Sequence, residues 1–508
     1  MLNGHKPVTI DKFNGLWRRG DVDNTPIDHF SDCNNIRFIG TAGFATRYGV
    51  DISQDVSVPL SNVRRFYNYP TPTGNTLIVL VINEDDEGEI YHVVNSTTVY
   101  GPLLTIEGMK DFGFFPYAGR AYITPFAYYE VTGLDDQPLN IEKGMDGEFL
   151  YVYMGNGTAA RKAAGNPLTG NMTIANGSAG NTDPGLHLFG WVAETDSGYL
   201  TAPGAIEAFT TAANFSVSFT VVPTSGSPTI VKRHLVATKV ITGYTGNTTG
   251  YQFFFVPGAT IPNDTDTFLL NQSFFDIDLL EDASYLLDNY AEIPAGVSLS
   301  SYHNRMILTT TFDDISIALV SAPGEPEAIS QVDGLIVVPL DGNPITNAAE
   351  LRDVLYIFKR ARTVAYVDNG DVPSSWPMTD IDAALGTCVH GIATVLDSGS
   401  QSVDSLIVAN YAGMYLFNGS YIVPELSWKI QDFWFEQDRN LFRLIQVLNE
   451  PISAQIICVI PDGRILIGDY ANGMNAKNIR WTPTGFPRNI NTVAIVNIDQ
   501  IILGMDLL

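Results

Sequence analysis

Residues 353–376, DVLYIFKRARTVAYVDNGDVPSSW, predict a β-hairpin from which the rest of the chain can be interpreted. Leu355 and Ile357 alternate along its first half, and Val364 and Tyr366 alternate along its second half. This two-residue period is typical of strands. A basic turn separates the two halves, and a cluster of Asp, Asn, Gly and Pro closes the segment. We therefore expect two antiparallel strands joined by a tight turn.

The same outline recurs in residues 304–325, 404–424 and 454–469, each with two apolar runs around a polar turn. These hairpins start roughly 50 residues apart, a period in the range of propeller blades. Residues 63–140 also contain paired apolar runs, although less regularly. The segments between runs are too short for parallel crossovers, so antiparallel pairing is expected throughout. The pattern predicts an all-β chain that contains a β-propeller.

The repeat is interrupted in the middle of the chain. Residues 166–185 are rich in Gly, Asn and Thr, which indicates a linker. About seven short strands are expected in the roughly 110 residues after it, which suits an immunoglobulin-like or fibronectin-like β-sandwich. We therefore expect four parts: an N-terminal arm and first strand in 1–50, a first propeller part in 51–184, an inserted sandwich in 185–297, and a second propeller part in 298–508.

Composition supports a globular, strand-rich protein. The chain has 508 residues, of which 45% are hydrophobic and 16% are charged. That balance excludes a disordered protein and allows a large core. Long helical periodicity is nearly absent. The best helical candidates are residues 348–351 and 430–448, and the second could equally form strands.

The net charge of −27 excludes a protein that grips nucleic acid along a broad basic face. One interpretation of this charge is solubility alone. A more specific interpretation is an acidic surface or lumen that repels DNA phosphates, so that DNA slides past without being bound. Residues 1–10 have no apolar core of a signal peptide, and no window reaches the length of a transmembrane helix. We expect no membrane insertion.

The sequence predicts no catalytic, cofactor-binding or metal site, and hence no enzyme and no cofactor. A calcium site among the acidic loops stays open as an alternative, although no stretch has the Asp spacing of an EF-hand loop. Paired carboxylates of a glycosidase type occur, but each pair lies in a probable turn, where Asp is expected for backbone reasons. The pairs are Asp85 with Asp86, Asp135 with Asp136, and Asp313 with Asp314. No nucleophile elbow, phosphate-binding loop or metalloprotease helix motif is present.

Cysteine, histidine and tryptophan residues also favour structural roles. The three cysteines, Cys33, Cys388 and Cys458, are too far apart for a zinc knuckle and are expected to be buried. The histidines are scattered, and a single His in a strand is usually a satisfied structural residue. Three tryptophans follow successive hairpins at one-blade spacing, so we expect a repeated core position rather than a carbohydrate platform. They are Trp376, Trp428 and Trp481.

Several short motifs, taken in order, resemble a known family. The N-terminal arm, with Asn34 to Phe38, Gly43 and Arg47 to Gly49, is similar to the opening of certain phage virion proteins. Residues 232–238 resemble a strand of the sandwich insertion in those proteins. The propeller half of those proteins is similar to this chain in residues 300–306, 321–327, 356–359 and 363–364. The family is the tail nozzle, or tail hub, of short-tailed bacteriophages, also called tail tubular protein B or DNA-stabilisation protein.

The resemblance implies a homohexameric ring below the portal and its adaptor, the head-to-tail connector. Its central channel would retain packaged DNA and conduct it during ejection, without sequence-specific contacts. Tail fibre or spike proteins would be further partners, and the protein would be made in the host cytoplasm and located in the virion. Two alternatives stay open: a tail-tip or baseplate component of a long-tailed phage, and a glycan-binding or glycosidase β-propeller.

Overall fold

The computed structural model describes residues 16, 18–19, 26, 29, 36–39, 43–46, 62–95, 98–132, 138–225, 227, 229–248, 250–264, 270–288, 292–330, 333–396, 403–485, 490–497 and 500–505. Its regular structure is almost entirely strand, which confirms the all-β prediction. The chain divides into two compact units. Unit 1 comprises Met1–Ala160, Pro294–Ala318 and Gly334–Leu508, and unit 2 comprises Arg161–Ile293 and Leu319–Asp333.

The strands are numbered in chain order. They are β1 (Ile36–Ile39), β2 (Gly43–Thr46), β3 (Val63–Thr71), β4 (Gly74–Ile82), β5 (Glu87–Val93), β6 (Val99–Glu107), β7 (Asp111–Tyr117), β8 (Arg120–Thr132), β9 (Pro138–Gly144), β10 (Tyr151–Tyr153), β11 (Arg161–Lys162), β12 (Thr173–Ala179), β13 (Gly185–Thr195), β14 (Glu207–Thr211), β15 (Phe215–Val221), β16 (Ile230–Thr238), β17 (Phe253–Pro262), β18 (Leu270–Gln272), β19 (Ser298–Tyr302), β20 (Arg305–Thr309), β21 (Ile317–Ala322), β22 (Glu325–Ile329), β23 (Leu335–Ile336), β24 (Ile345–Leu351), β25 (Val354–Lys359), β26 (Arg362–Tyr366), β27 (Met378–Asp382), β28 (Ile392–Leu396), β29 (Val403–Asn410), β30 (Gly413–Phe417), β31 (Tyr421–Ile422), β32 (Gln446–Glu450), β33 (Gln455–Val459), β34 (Ile465–Asp469), β35 (Arg480–Thr484), β36 (Ile490–Asn497) and β37 (Gln500–Met505).

Helical structure is limited to short segments in the part of the chain described. The α-helix α1 (Gln431–Phe435) is a little over one turn long. The 3-10 segments are Asp276–Asp278, Ser284–Asp288, Pro373–Ser375, Trp428–Ile430 and Arg439–Leu444. No helix in the described residues is long and apolar enough to span a membrane.

The hairpin predicted in residues 353–376 is confirmed as β25 and β26. Leu355 pairs with Tyr366 and Ile357 pairs with Val364, so these four side chains share one face of the sheet. All four are buried, and Phe358 on the opposite face is buried as well. The hairpin is therefore covered on both faces, which explains why its apolar run is nearly continuous.

The other predicted hairpins are also present. The strands β29 and β30 pair antiparallel in residues 404–424, and β33 and β34 pair in residues 454–469. In residues 304–325, β20 and β21 are neighbours in one sheet. Turn chemistry at these positions was therefore a sufficient guide to strand ends.

Seven small antiparallel sheets of unit 1 follow one another along the chain. They begin with β3, β7, β19, β24, β28, β32 and β36. These sheets contact one another in a cyclic order: β3 contacts β7, β7 contacts β19, β19 contacts β24, β24 contacts β29, β28 contacts β32, β32 contacts β36, and β36 returns to β3. This neighbour order is the one that the propeller prediction requires. The propeller itself stays a prediction.

Unit 2 contains two antiparallel sheets that share one core. One sheet has the order β12-β15-β18 and the other has the order β14-β13-β16-β17, seven strands in all. Trp191 of β13 and Phe219 of β15 belong to the same buried cluster, with ring centroids 5.7 Å apart. Two sheets that bury side chains between them have the arrangement of a β-sandwich.

Several sequence expectations need correction. Residues 166–185 are not only a linker, because β12 lies within them and pairs with β15. The sequence TIANGSA of β12 has little apolar content, so hydrophobic periodicity could not reveal it. Residues 348–351 belong to strand β24 rather than to a helix. In residues 430–448, α1 and a 3-10 segment precede β32.

The boundaries of unit 2 differ from those drawn on the sequence. The expected insertion was 185–297, whereas unit 2 begins at Arg161, ends its first segment at Ile293 and regains residues 319–333. The chain passes from unit 1 to unit 2 within β21, where Ile317 pairs with β23 and Ser321 pairs with β22. Composition carries no information about strand pairing, so it cannot locate a domain boundary inside a strand that pairs in two sheets. Most of the expected arm in 1–50 lies outside the described residues.

Candidate functional site

A buried polar network joins the starting strands of several sheets in unit 1. Arg65 of β3 donates from Nε to Asp111 Oδ1 at 3.1 Å and from Nη2 to Asp111 Oδ2 at 2.8 Å. Its Nη1 donates to Gln446 Oε1 of β32 at 3.2 Å. The hydroxyl of Thr492 in β36 donates to the same Gln446 oxygen at 2.9 Å. Arg65 thus connects β3 with β7 and β32, and Gln446 extends the network to β36, so strands from four sheets are joined.

The network continues through a histidine and a tyrosine. His390, just before β28, donates from Nε2 to Asp111 Oδ2 at 3.1 Å. Its Nδ1 lies 2.9 Å from the Tyr67 hydroxyl, which also lies 3.2 Å from the Phe112 carbonyl oxygen. A carboxylate, an imidazole and a phenol therefore follow one another in the order of a proton relay.

Burial and charge set the protonation states of this network. Burial alone would raise the pKa of Asp111, but the charge of Arg65 and the hydrogen bonds from His390 and Arg65 hold that pKa far below its usual range. Burial lowers the pKa of His390, and the neighbouring Arg65 lowers it further. Burial, with a contribution from Asp111, raises the pKa of Tyr67. The resting state is an ionised Asp111, a neutral His390 and a neutral Tyr67.

These protonation states favour a structural role over catalysis. A neutral phenol with a raised pKa is a poor nucleophile. The Asp111 carboxylate already accepts hydrogen bonds from two nitrogens of the Arg65 guanidinium. Asp111 and Arg65 are almost fully buried, and each already holds the other through hydrogen bonds. The network satisfies its own polar groups in the core of unit 1 and holds the sheets in register.

A small cavity of about 120 Å³ lies beside Arg65. It is lined by Arg64, Asp462 and Asn491 together with backbone of the β33–β34 turn. Cavities that bind small molecules usually measure about 300–1,000 Å³, so this one suits a few waters rather than an organic substrate.

Two of the three acidic pairs noted in the sequence are described by the structure, and both lie outside the strands, as expected. Asp85 and Asp86 are in the β4–β5 turn, where Asn83 Oδ1 accepts the Asp85 backbone N–H and Lys110 forms an ion pair with Asp86. Asp314 Oδ1 accepts the backbone N–H of Ser316. Asp135 and Asp136 lie outside the described residues.

The cysteine prediction is confirmed for two of the three residues. Cys388 and Cys458 are buried free thiols, and burial raises the pKa of both. A thiol with a raised pKa is unreactive as a nucleophile. Cys33 lies outside the described residues.

The tryptophan prediction is partly wrong. Trp376 and Trp481 are buried, but Trp428 is only half-buried and lies under the Arg19 guanidinium, 4.4 Å from its ring centroid. Trp434 of α1 occupies the core of that region instead. Because a helical turn follows β31, the buried indole lies six residues after Trp428. A strand repeat cannot predict this offset.

One group of possible metal ligands was missed by the sequence reasoning. Atoms of His303, Glu350 and Asp353 lie within 4.8 Å of one another, on the β19–β20 turn and the β24–β25 hairpin. One imidazole and two carboxylates form a donor set that zinc accepts. Asp353 has a side chain that is 91% exposed, and His303 Nε2 lies 3.8 Å from Asp353 Oδ1. Both turns place non-glycine residues at positive φ, a feature that only the structure shows, so the sequence offered no signal for this group.

A second buried histidine makes the stability of unit 1 depend on pH. His92 of β5 contacts the Tyr153 hydroxyl through Nδ1 at 2.8 Å and the Thr76 hydroxyl through Nε2 at 2.9 Å. Burial lowers the pKa of His92 to about 4, whereas the unfolded chain takes up this proton near 6.5. Stability is therefore complete above pH 6.5 and falls as the pH drops towards 4, by roughly 2 kcal/mol.

The variant His92→Gln tests this dependence. We expect its urea-unfolding free energy to change less than that of the unaltered protein between pH 6.5 and 4. His303→Gln, at an exposed position, serves as the control and should keep the full slope. Equal slopes in all three proteins would contradict the role of His92.

Comparisons with known proteins add little to this geometry. No family model matches the chain, and no curated protein matches it. Among solved structures, the chain is similar to Kluyveromyces lactis Hsv2 with its complete loop 6CD, at 9% sequence identity. The alignment covers 83% of this chain and 97% of that chain, with a TM-score of 0.28. A likeness at this TM-score carries no argument about fold or function.

Proposed function

We propose that this protein is a structural component of a bacteriophage tail, a nozzle subunit that forms a homohexameric ring below the portal and its adaptor. The observation that carries the proposal is the discontinuous architecture. The chain leaves unit 1 after Ala160, builds a seven-stranded sandwich, and returns to unit 1 at Pro294. A strand-built body with an inserted sandwich is what the sequence resemblance implies.

The cyclic sheet order of unit 1 supports a propeller as the body of this subunit. Each of the seven sheets contacts the next one, and the last contacts β3 of the first. The series of contacts is therefore closed. The β36–β37 hairpin contacts both β32 and β3, so the C-terminal part of the chain meets the first complete sheet. A closed series of sheets would make a rigid ring component.

The charge of the chain supports passage of DNA without retention. There are 55 acidic and 28 basic residues, and several of the basic ones are held in ion pairs. A protein that bound the phosphate backbone would need unpaired Lys and Arg on one surface. The proposed partners are therefore other copies of this chain, the adaptor, fibre or spike proteins, and DNA that slides past.

The buried network of unit 1 supports a role without catalysis. Its possible relay residues are buried and are held by hydrogen bonds within the network. The two acidic pairs that the structure describes serve as turn residues. Mechanism in this proposal is geometric and electrostatic: rigid subunits close a channel, and acidic surfaces repel the phosphates of the passing genome.

The assembly state tests the proposal. We expect light scattering and negative-stain microscopy to find a sixfold ring, formed either by the purified protein or on addition of the adaptor protein. A persistent monomer that ignores virion proteins and binds a glycan array would favour the glycan-binding propeller. A ring seen only at the tip of a long, contractile or flexible tail would favour the tail-tip alternative.

DNA binding provides a second test. At 50 mM salt, we expect no retention of a double-stranded DNA fragment by the purified protein in a mobility-shift assay. A protein with several phosphate contacts would bind at this salt concentration and release DNA as salt rises. Such salt-sensitive binding would contradict the acidic-channel mechanism.

A further inference from the structure

Unit 2 exposes an unusual concentration of large apolar side chains in residues 275–287. Five exposed large apolar residues fall within these 13 positions: Phe275, Ile277, Leu280, Tyr285 and Leu287. Ile277 is 77% exposed and Leu280 is 81% exposed. Single exposed apolar residues are ordinary on protein surfaces, but such a concentration indicates an interaction surface.

This segment is held in place rather than loosely attached. Between the exposed positions, the side chains of Leu279, Ala283 and Leu286 are fully buried in the cores of unit 2. The Phe255 N–H donates to the Glu281 carbonyl at 2.9 Å, and the Ala283 N–H donates to the Phe253 carbonyl at 2.9 Å. The segment thus pairs with β17 while its outward apolar side chains stay in water. A fixed surface loses little conformational entropy when it binds.

Leu280 lies at a cavity of about 580 Å³ in unit 2. The cavity has apolar walls from Leu235 and Phe255 and acidic groups from Glu194, Asp278 and Glu281. A volume of this size accommodates one or two large side chains of a partner. Apolar walls with a few charged groups suit a side chain that carries both a long apolar stem and a charge.

The cavity has two carboxylates that form no ion pair among the described residues, although Asp278 Oδ2 accepts the Phe275 backbone N–H at 3.0 Å. Glu194 is already neutralised, since it accepts from Lys232 Nζ at 2.9 Å and from His234 Nε2 at 2.7 Å. Asp278 and Glu281 have no ion-pair partner among the described residues. The complementary ligand is therefore an Arg or Lys side chain. A second copy of this chain, with its net charge of −27, offers poor complementarity.

We propose that the 275–287 segment and the adjoining cavity form a docking site for a polypeptide of another protein that presents basic and apolar side chains in alternation. An apolar side chain of that partner packs on Leu280 and Ile277, and a basic side chain enters the cavity towards Asp278 and Glu281. The proposal does not depend on the function proposed above, since it rests on the surface of unit 2 alone.

Three fluorescein-labelled 12-residue peptides test the site on the full-length protein. They alternate Leu with Arg, Ser with Arg, and Leu with Glu, which separates the apolar and the charged contributions. We expect only the Leu/Arg peptide to bind well in fluorescence anisotropy. Leu280→Ser and Glu281→Gln should each weaken it at least about fivefold, as expected for central contacts of an interface. Val423→Ser, at a residue of unit 1 that is 75% exposed, is the matched control and should bind normally.

Two results would overturn the proposal. If the Ser/Arg peptide binds as tightly as the Leu/Arg peptide, or if Leu280→Ser has no effect, the attraction is only to the acidic surface of the whole chain. If sedimentation shows self-association that Leu280→Ser abolishes and Val423→Ser does not, the occupant is a second copy of the chain.

Discussion

Replacing Asp111 with alanine is expected to destabilise unit 1 by about 3–5 kcal/mol, because it leaves the Arg65 guanidinium buried without a counter-charge. Arg65 is almost fully buried, and Asp111 accepts two of its hydrogen bonds. His390 loses its acceptor in the same variant. Urea denaturation followed by intrinsic fluorescence measures the loss, and its midpoint should fall without an increase in aggregation before unfolding.

Two further variants make the Asp111 result interpretable. Asp86→Ala removes an exposed ion pair with Lys110 and should cost no more than about 1 kcal/mol. The double variant Arg65→Met with Asp111→Leu replaces the buried pair by apolar side chains and should recover much of the stability. A loss in Asp111→Ala as small as that in Asp86→Ala would show that the network does not support the fold.

Trp481→Ala has the second largest expected effect, about 3–5 kcal/mol, since it removes a large, fully buried side chain. The indole packs in the core cluster that also contains Trp434 and Ile456, and its Nε1 donates to the Leu426 carbonyl at 2.8 Å. The neighbouring strand carries Gly468 directly opposite, where a Cβ would meet the indole ring at 2.6 Å. The backbone at Gly468 thus lies against the ring, and we expect the indole's removal to leave a cavity.

Trp428→Ala is the matched comparison for Trp481→Ala. Trp428 is half-buried and contacts the Arg19 guanidinium at one face, so its loss should cost about 1–2 kcal/mol. Chemical denaturation of both variants measures the difference. Equal losses at the two positions would mean that Trp481 is less tightly packed than its surroundings indicate.

The two variants also bear on the internal repeat. The spacing of tryptophans predicted one core position per hairpin, and the structure confirms burial at Trp376 and Trp481 but not at Trp428. The strands recur at the spacing of the repeat. The helical turn of α1, between β31 and β32, contributes a buried indole of its own, that of Trp434. Local insertions of this kind change which residue fills a core without changing the strands around it.

Secondary structure could be predicted where local chemistry decides it. Alternating apolar residues and clusters of Asp, Asn, Gly and Pro located the β25–β26, β29–β30 and β33–β34 hairpins, because strand period and turn preference are properties of short segments. Strand β12 escaped prediction for the same reason, since TIANGSA has no apolar alternation. Its pairing with β15 is decided by the neighbouring strand and not by its own residues.

The polar network and the docking surface could not be predicted. Arg65 and Asp111 are 46 positions apart, and His390 is 279 positions from Asp111. No short pattern encodes such partners, because the contact forms only when strands from different sheets meet. The exposure of Leu280 is equally invisible in sequence, where Leu280 and the buried Leu279 are neighbours of the same type.

The amino-acid sequence by itself determined an all-β chain, its regular hairpins, its interruption by a second unit and its acidic character. These follow from composition, charge and short-range periodicity, which need no knowledge of spatial neighbours. The tertiary structure alone decided the cyclic order of the sheets, the transfer of β21 between units, the pairing of Arg65 with Asp111, and the outward face of residues 275–287. Each of these depends on contacts between segments distant in the chain, where burial and charge act through space.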